Sequence, residues 1–403
     1  MKIDLVRKID YWIGVPVCRA LTGLHYVSRL ISPPKNFSRA PQKFLFLELS
    51  EMGRAILAYP AMKVVKRAYP QAELFFLIFE KNRASVDILG LIPEEKVLII
   101  SEKSFLTFIA DVVRVILRMR REKIEVIFDL ELFTRVTAIL TFFSGAPLRV
   151  GFYRYGLEGL YRGNFHTHKV QYNFQQHMSK TFLSMVEVLK QPAKDIPTMD
   201  RSIPDGDIET AAYRASEEGK RNLWQKLKGF NPEIGEDKKI LVLNPSGGEI
   251  PIRAWPLENY IALADRLLQN PDHFLILMGA KADWEVNEKV RRAVNHPRCL
   301  NFAGQTTFPE LMDLFSIAQV LITNDSGPAH FASMTPIRNF VFMGPETPIL
   351  YRPLSPQTHV FYSNFSCSPC LTAYNHRNSP CRDNKCLQSI SVDEVYEAVI
   401  AVL

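Results

Sequence analysis

Long apolar runs are missing from this 403-residue chain. No stretch approaches the ~18–20 uninterrupted apolar residues of a membrane-crossing helix. No small-residue cleavage site follows an apolar core near the N-terminus, so no secretory signal is read there. A cytoplasmic protein is the expectation. Acidic residues are outnumbered, 42 against 49 basic, for a net charge of +7. That balance favours an anionic partner such as a nucleotide, an acidic lipid surface or a nucleic acid, without choosing among them. Cysteine is scarce as well, with six in all. Cys18 and Cys299 stand alone, whereas four crowd into residues 367–386. In a cytoplasmic protein such a cluster reads as metal ligands before disulfides. What is present is an ordinary globular composition, 47% hydrophobic and 23% charged, long enough for two or three domains.

The pattern divides the chain into a helical extension over 1–40, a first α/β domain over 41–190, a connecting region over 191–237, a second α/β domain over 238–390 and a closing helix over 391–403. Residues 1–31 place Leu5, Ile9, Trp12, Ile13, Leu21, Leu24 and Val27 at helical spacing among Lys2, Arg7, Lys8, Arg19 and Arg29. Pro16 is expected to break or kink this helix. A basic amphipathic helix with Trp and Tyr suits a peripheral membrane contact; a helix packed on the protein body is the alternative. Strands are expected at 44–49, 73–79, 96–100 and 126–129, with helices between them, including a long one over 106–120. Residues 149–177 mix Arg149, Arg154, Arg162, His166, His168 and Lys169 with Tyr and Phe. This stretch reads as a loop lining an acceptor cleft, with a long surface excursion as the alternative. A helix over 207–228 falls in the connecting region. A second alternating series begins with a strand at 239–244 and includes strands at 274–278, 300–302, 319–322 and 340–342. Alternation of this kind gives parallel sheets covered on both faces.

In the second series the chain concentrates small and polar residues at the carboxyl ends of strands, where doubly wound sheets bind ligands. Ser246, Gly247, Gly279, Thr306, Asp325 and Gly344 all fall at such ends. The most pointed case is Asn324-Asp325-Ser326-Gly327-Pro328-Ala329-His330, between a buried strand and an apolar helix start. Asp325 or Ser326 can cap that helix, Gly327 eases the turn and Pro328 suits the first helical turn. A strand, a small-residue turn and a helix N-terminus together make an anion site; an ordinary, well-capped βα turn would look the same. Two such halves imply a ligand cleft between them.

Seven segments, taken in order, resemble a known family. They are Ser50-Glu51-Met52-Gly53, Pro60-Ala61-Met62, Asn244-Pro245-Ser246-Gly247, Arg253-Ala254-Trp255-Pro256-Leu257-Glu258, Gly304-Gln305-Thr306-Thr307, the Asn324–His330 turn and Phe342-Met343-Gly344-Pro345-Glu346-Thr347. Together they look like the ADP-heptose:lipopolysaccharide heptosyltransferases, glycosyltransferase family 9, over residues 43–403. The resemblance implies a GT-B architecture of two facing Rossmann-like domains. It also implies an inverting, metal-independent transfer of a sugar from a nucleotide donor, ADP-linked by preference, to a lipopolysaccharide-core or other lipid-linked glycan. Carried over by position, Gly53, Ser246, Gly247, Arg253, Asp283, Thr306, Asp325, Ser326, Gly327 and His330 would surround the donor. Arg54, Arg135, Arg154, Arg162 and His168 would meet the acceptor.

One position departs from the family. The residue after Gly53 is Arg54, where the family has the Asp read as general base, and an arginine accepts no proton at neutral pH. Glu51, Asp129 and Glu131 are the carboxylates that could replace it, with Glu51 first by proximity in sequence. The alternatives are a non-catalytic nucleotide-sugar-binding scaffold and a nucleotide-sugar epimerase on the same plan. Nucleic-acid binding suits the charge but not the site pattern. The cysteine cluster, Cys367, Cys370, Cys381 and Cys386, begins with a CxxC half-site. It points to a structural zinc or iron–sulfur cluster, with disulfides or packed reduced thiols as the alternatives. Four protein ligands would leave no open position for catalysis.

Overall fold

The structure is a computed structural model that describes residues 3–31, 39–132, 134–153, 160–194, 196–197, 199 and 202–403. Pro33, Pro34 and the acceptor-side candidate Arg154 lie outside the described residues. The chain forms two compact units, Met1–Glu209 and Thr210–Leu403. Residues 191–237 therefore divide between them. The helix there runs Glu217–Phe230, starting where the Ser216 hydroxyl accepts from the Gly219 N–H.

The first unit holds six parallel strands, β1 (Lys43–Leu47), β2 (Glu73–Phe79), β3 (Val97–Ile100), β4 (Val126–Asp129), β5 (Leu148–Phe152) and β6 (His168–Val170). The second holds β7 (Lys239–Asn244), β8 (His273–Leu277), β9 (Cys299–Asn301), β10 (Val320–Asn324), β11 (Arg338–Met343) and β12 (Thr358–Tyr362). Their orders are β3-β2-β1-β4-β5-β6 and β12-β11-β10-β7-β8-β9. In the first sheet the chain turns one way after β1 and the other way after β4. In the second it does the same after β7 and β10. Each sheet thus has a switch point between two adjacent strands, where diverging loops leave a crevice. This topology decides where a ligand site can lie in each unit.

Both sheets are buried on both faces, which is why their strands are near-continuous apolar runs. Leu45, Leu47, Phe75, Leu77 and Ile127 meet Val115 and Met119 of the helix Phe105–Glu122. On the other face Phe46 stacks on Phe128 at 4.9 Å. In the second unit Trp255 stacks on Phe342 at 4.5 Å, and its indole N–H donates to Ile390 O. Val395 and Val399 of the closing helix Val392–Ile400 complete that core. Each fully buried side chain of this kind contributes about 1.5–3 kcal/mol.

Residues 149–177 differ from the expected loop. They contain β5 and β6, and Phe165, Arg162, His166 and His168 are buried. The segment looks polar in sequence, but inside the fold Arg162 pairs with Asp129 and Arg149 donates to Ala146 O and Phe165 O. The extension forms two helices, Ile3–Trp12 and Gly14–Ile31. The break falls at Ile13 and not at Pro16, which lies in the first turn of the second helix, where its missing N–H costs nothing. Gly14 is needed at the break: a Cβ there would stand 2.6 Å from Arg135 Cβ. One face of the second helix packs on the body, with Cys18 and Leu21 against Ala138 and Phe165. Asp10 accepts from the backbone N–H groups of Arg135 and Val136 and pairs with the Arg135 guanidinium at 3.1 Å. The opposite face leaves Trp12, Ile13, Leu24, Val27, Leu30 and Ile31 exposed. Among the described residues no helix is long and apolar enough to cross a membrane.

Candidate functional site

At the switch point of the second sheet, the loops after β7 and β10 are tied together by one side chain. Asn324 Nδ2 donates to the carbonyls of Asn244, Pro245 and Ser246, and its Oδ1 accepts from the Trp255 N–H and the Tyr260 hydroxyl. This fixes Ser246 and Gly247 on one side and the Arg253 turn on the other. Gly247 is pressed so closely that a Cβ would meet Pro251 O at 3.1 Å. Ser246 Oγ donates to Asp283 Oδ1 at 2.6 Å, and Asp283 Oδ2 accepts from the Ala280 N–H. Asp283 crowds Gly279, and the Gly304 N–H donates to Gly279 O, which brings the half-buried Thr306 loop to the same edge.

Arg253 is the cation of this edge. Its Nε lies 3.6 Å from Asp325 Oδ2 and its Nη2 2.7 Å from Glu346 Oε1. Burial alone would lower the Arg253 pKa, but Asp325 and Glu346 outweigh it and hold the guanidinium more firmly charged. Burial pushes the Asp325 pKa above the usual carboxylate range, against the pull of Arg253. Ser326 occupies the cap position of the helix Gly327–Ala332, but its hydroxyl donates back to Asn324 O and caps nothing. Asp325 does not cap it either. His330 is buried one turn in. The helix has only six residues, so fixed positive charge at this edge comes from side chains, Arg253 among them.

The switch point of the first sheet carries a different arrangement. Arg54, on the short helix Met52–Leu57 that also holds Gly53, sits among three carboxylates. Its nitrogens lie 3.4 Å from Glu48, 3.0 Å from Glu51 and 3.5 Å from Glu131. Glu48 and Glu131 are buried at 0% and 2% exposure, Arg54 at 5%. Glu131 Oε1 accepts from the Leu49 and Ser50 N–H groups, and Glu48 Oε1 accepts from Ser50 and Glu51. Burial first, then the neighbouring Glu131, pushes the Glu48 pKa well up, against the pull of Arg54. Glu51, at 31% side-chain exposure, is the carboxylate of this group that solvent reaches.

Asp129 ends β4 at this switch point but is turned to internal partners, and the described acceptor-side candidates other than Arg54 are engaged within the fold. Asp129 is wholly buried on Arg162, and His166 stands 3.5 Å away. Arg162 also donates to Glu131 O and Thr137 Oγ1. Burial holds His166 neutral, its pKa lowered despite Asp129. Asp129 and Arg162 therefore form an internal pair with no surface for an acceptor. Arg135 is spent on Asp10 and Tyr161 O. His168 bonds Thr167 Oγ1 and Gln191 O, and burial lowers its pKa. Among the described members of the acceptor-side set only Arg54 lies at the switch point, and it is engaged with its three carboxylates.

Comparison with known proteins now decides the family. The profile of glycosyltransferase family 9 (heptosyltransferase) matches residues 112–379. The chain belongs to glycosyltransferase family 9. It is 26% identical over 179 residues to lipooligosaccharide heptosyltransferase 2 of Campylobacter jejuni serotype O:6, covering 43% of this chain and 55% of that protein. The chain thus spans about half the length of this relative. It is 22% identical to lipopolysaccharide core heptosyltransferase OpsX of Haemophilus influenzae, covering 74% of this chain and 77% of that one. The structure of ADP-heptose lipopolysaccharide heptosyltransferase II of Escherichia coli superposes with a TM-score of 0.68 at 18% identity, over 90% of this chain and 98% of that one. The fold, two parallel-sheet α/β units, is the GT-B plan.

For a family 9 glycosyltransferase this chain has features that its sequence did not announce. Glu48 and Asn384 support the two switch points without lying in any recognised turn, and Asn324 and Glu346, though inside the quoted segments, have supporting contacts that spacing does not give. The one available signal was Glu48 itself, a lone carboxylate within an apolar strand run, since such a residue is rarely buried unless paired. Of the four clustered cysteines, Cys367 is exposed, Cys370 and Cys381 are half-buried and Cys386 is buried, all as free thiols. Burial first, and then the other three, push the Cys386 pKa up to about 11. No three His, Cys, Asp or Glu side chains among the described residues stand where one metal ion could be held.

Proposed function

We propose that this protein is an inverting glycosyltransferase that moves a heptose or related sugar from a nucleotide donor, ADP-linked by preference, to a lipopolysaccharide-core or other lipid-linked envelope glycan. The reading is carried by Arg253, a half-buried cation at the second sheet's switch point with Asp325 and Glu346 beside it. An acceptor hydroxyl attacks the anomeric carbon as the bond to the nucleotide diphosphate breaks. Glu51 takes the hydroxyl proton, and Arg253 stabilises the charge that grows on the leaving diphosphate. Arg54 is a positioning residue that holds Glu51 from Nε. Asp325 would repel the diphosphate on its own; paired with Arg253, it is left to bond a sugar hydroxyl.

The test is a transfer assay with ADP-heptose and a heptose-deficient lipopolysaccharide core, using wild type, Glu51→Gln and Arg253→Ala. Transfer by wild type, lost in Glu51→Gln with donor binding intact, supports the reading. Donor binding without transfer to any core acceptor would leave the scaffold. Conversion of the donor with no acceptor present would point to an epimerase.

The bare face of the extension supports a cytoplasmic enzyme that is peripheral on the inner face of the membrane. Trp12 is 73% and Leu30 87% exposed, near Lys8, Arg19 and Arg29. A second apolar row, Leu106, Ile109, Val113 and Leu117, is exposed on the helix Phe105–Glu122, beside Arg114 and Arg118. Basic residues near an anionic bilayer contribute about 1 kcal/mol each. Flotation with phosphatidylglycerol vesicles should carry the protein, and Trp12→Ser with Leu30→Ser should release it. Equal flotation of the variant, or none by wild type, rejects the membrane contact.

The CxxC spacing of Cys367 and Cys370, with Cys381 and Cys386 following, supports a structural zinc or iron–sulfur staple, which the thiols as placed do not yet form. The three other thiols lie within electrostatic reach of Cys386, and metal binding would draw the group together and release its protons. Elemental analysis should find metal in wild type and none in Cys367→Ser with Cys370→Ser. Wild type without metal rejects the staple.

A further inference from the structure

The segment that carries the clustered cysteines also reaches the donor edge. Between β12 and the short helix Lys385–Gln388 the chain folds back onto the loop after β11. The N–H groups of Cys370 and Leu371 both donate to Pro345 O, at 2.9 and 2.8 Å, and Ser368 Oγ donates to Gly344 O. This clamps the segment beside Glu346. Its turn is held from within, by Asn375 Nδ2 on Cys370 O and the Arg377 N–H on Thr372 O. The turn then passes through His376 and Arg377 at φ 51° and 54°. Two successive side-chain-bearing residues in the left-handed region are uncommon, and such conformations cluster at functional sites.

That turn delivers Arg377 to Glu346. Arg377 Nε lies 2.7 Å from Glu346 Oε1, the same oxygen that Arg253 Nη2 holds at 2.7 Å. The two guanidinium groups are thus no farther apart than one shared oxygen permits. Arg377 is also placed 5.1 Å from the Tyr351 ring centroid. The same segment sets Arg253 from its other end: Asn384 Nδ2 donates to Ile252 O and Ala254 O, the carbonyls on either side of Arg253. A carboxylate that gathers two arginines, both only 13–15% exposed, presents paired forks to an anion larger than itself. A diphosphate is such an anion, because each phosphate can take one fork.

We propose that Arg377 is a second ligand of the donor diphosphate and that the cysteine-bearing segment 363–384 is a working part of the donor site, orienting Arg377 directly and Arg253 through Asn384. This rests on the donor-site reading above.

The experiment is calorimetric titration of adenosine and ADP into the full-length protein as wild type, Arg253→Ala, Arg377→Ala and Arg377→Lys, each checked first for an unchanged ligand-free melting curve. Arg377→Ala should weaken ADP about tenfold to a hundredfold, the range for a lost charge-assisted hydrogen bond, and leave adenosine unchanged. Arg377→Lys should recover part of the loss. ADP binding that falls in Arg253→Ala and stays at the wild-type value in Arg377→Ala overturns this proposal alone. So does an equal loss for adenosine and ADP, which is what a merely structural residue would give. No binding of ADP by wild type overturns the donor site as an ADP site and this inference with it.

Discussion

Arg54 is the residue on which the first switch point depends, and removing its charge makes a sharp test. Arg54→Met keeps most of the volume and leaves Glu48, Glu51 and Glu131 without the cation they share. Breaking a buried pair by deleting one partner costs about 3–5 kcal/mol. A unit of this size loses about 2–4 °C of melting temperature per kcal/mol, so a drop of roughly 6–20 °C is expected at pH 8. The pH dependence gives the decisive readout. Glu48 has a raised pKa in the folded protein, so its protonated form is favoured by folding. Its stability contribution is fully present below the unfolded carboxylate pKa of about 4.3 and is lost as pH rises through the folded value. Without Arg54 the ionised form is costlier still. The deficit of Arg54→Met should therefore shrink as pH falls from 8 to 5, where protonation of Glu48 is favoured, and be partly repaired at pH 8 by adding Glu48→Gln. Thermal and urea unfolding monitored by circular dichroism at the two pH values checks this. A loss below about 1 kcal/mol, the size expected of an exposed pair, or a loss that does not change with pH, would refute the reasoning.

Other variants separate support from chemistry. Arg162→Met should destabilise the first unit by about 3–5 kcal/mol, since it strips the wholly buried Asp129 of its partner; acceptor KM measured on the folded fraction should not change. Asp10→Ala removes the acceptor for two N–H groups at the start of the helix Arg135–Phe143 and the partner of buried Arg135. A loss of roughly 1–2 kcal/mol is expected from the cap alone, read as a lower urea midpoint with an unchanged slope. Asn324→Ala cuts five hydrogen bonds between the β7 and β10 loops. It should weaken ADP binding at least as much as Arg253→Ala, by calorimetry, without touching the nucleotide directly.

Much of this fold was legible in the sequence, and the reason is periodicity. The runs Glu73–Phe79, Val126–Asp129 and Lys239–Asn244 are strands over those residues because parallel strands buried on both faces leave unbroken apolar segments. The Asn324–His330 turn stood out because few side chains suit a tight strand-to-helix turn. Residues 149–177 were misread because their arginines and histidines look solvated. Arg162 is satisfied by Asp129, 33 positions away, and no local pattern carries that pairing. The β12 strand and the helix Arg135–Phe143 were missed for a related reason: both are short and flanked by polar residues. At the second sheet's switch point the sequence singles out Arg253 and Asp325, which the structure brings within 3.6 Å, but gives Glu346 and Arg377 no role, because the meeting of Arg377 with Glu346 depends on a turn of left-handed residues that sequence spacing does not encode. Ser326 showed the opposite error. Its residue type suits a cap, yet a neighbouring carbonyl competes for the hydroxyl and wins.

The Asp10 clasp makes the extension an integral part of the first unit. Asp10 grips the start of a helix that begins four residues after Glu131, whose carboxylate holds the backbone of the Ser50 loop. Trimming the chain to begin at residue 41 would take that grip away, leave the buried Arg135 without its carboxylate, and lay open the surface around Ala138 and Phe165 that Cys18 and Leu21 now cover.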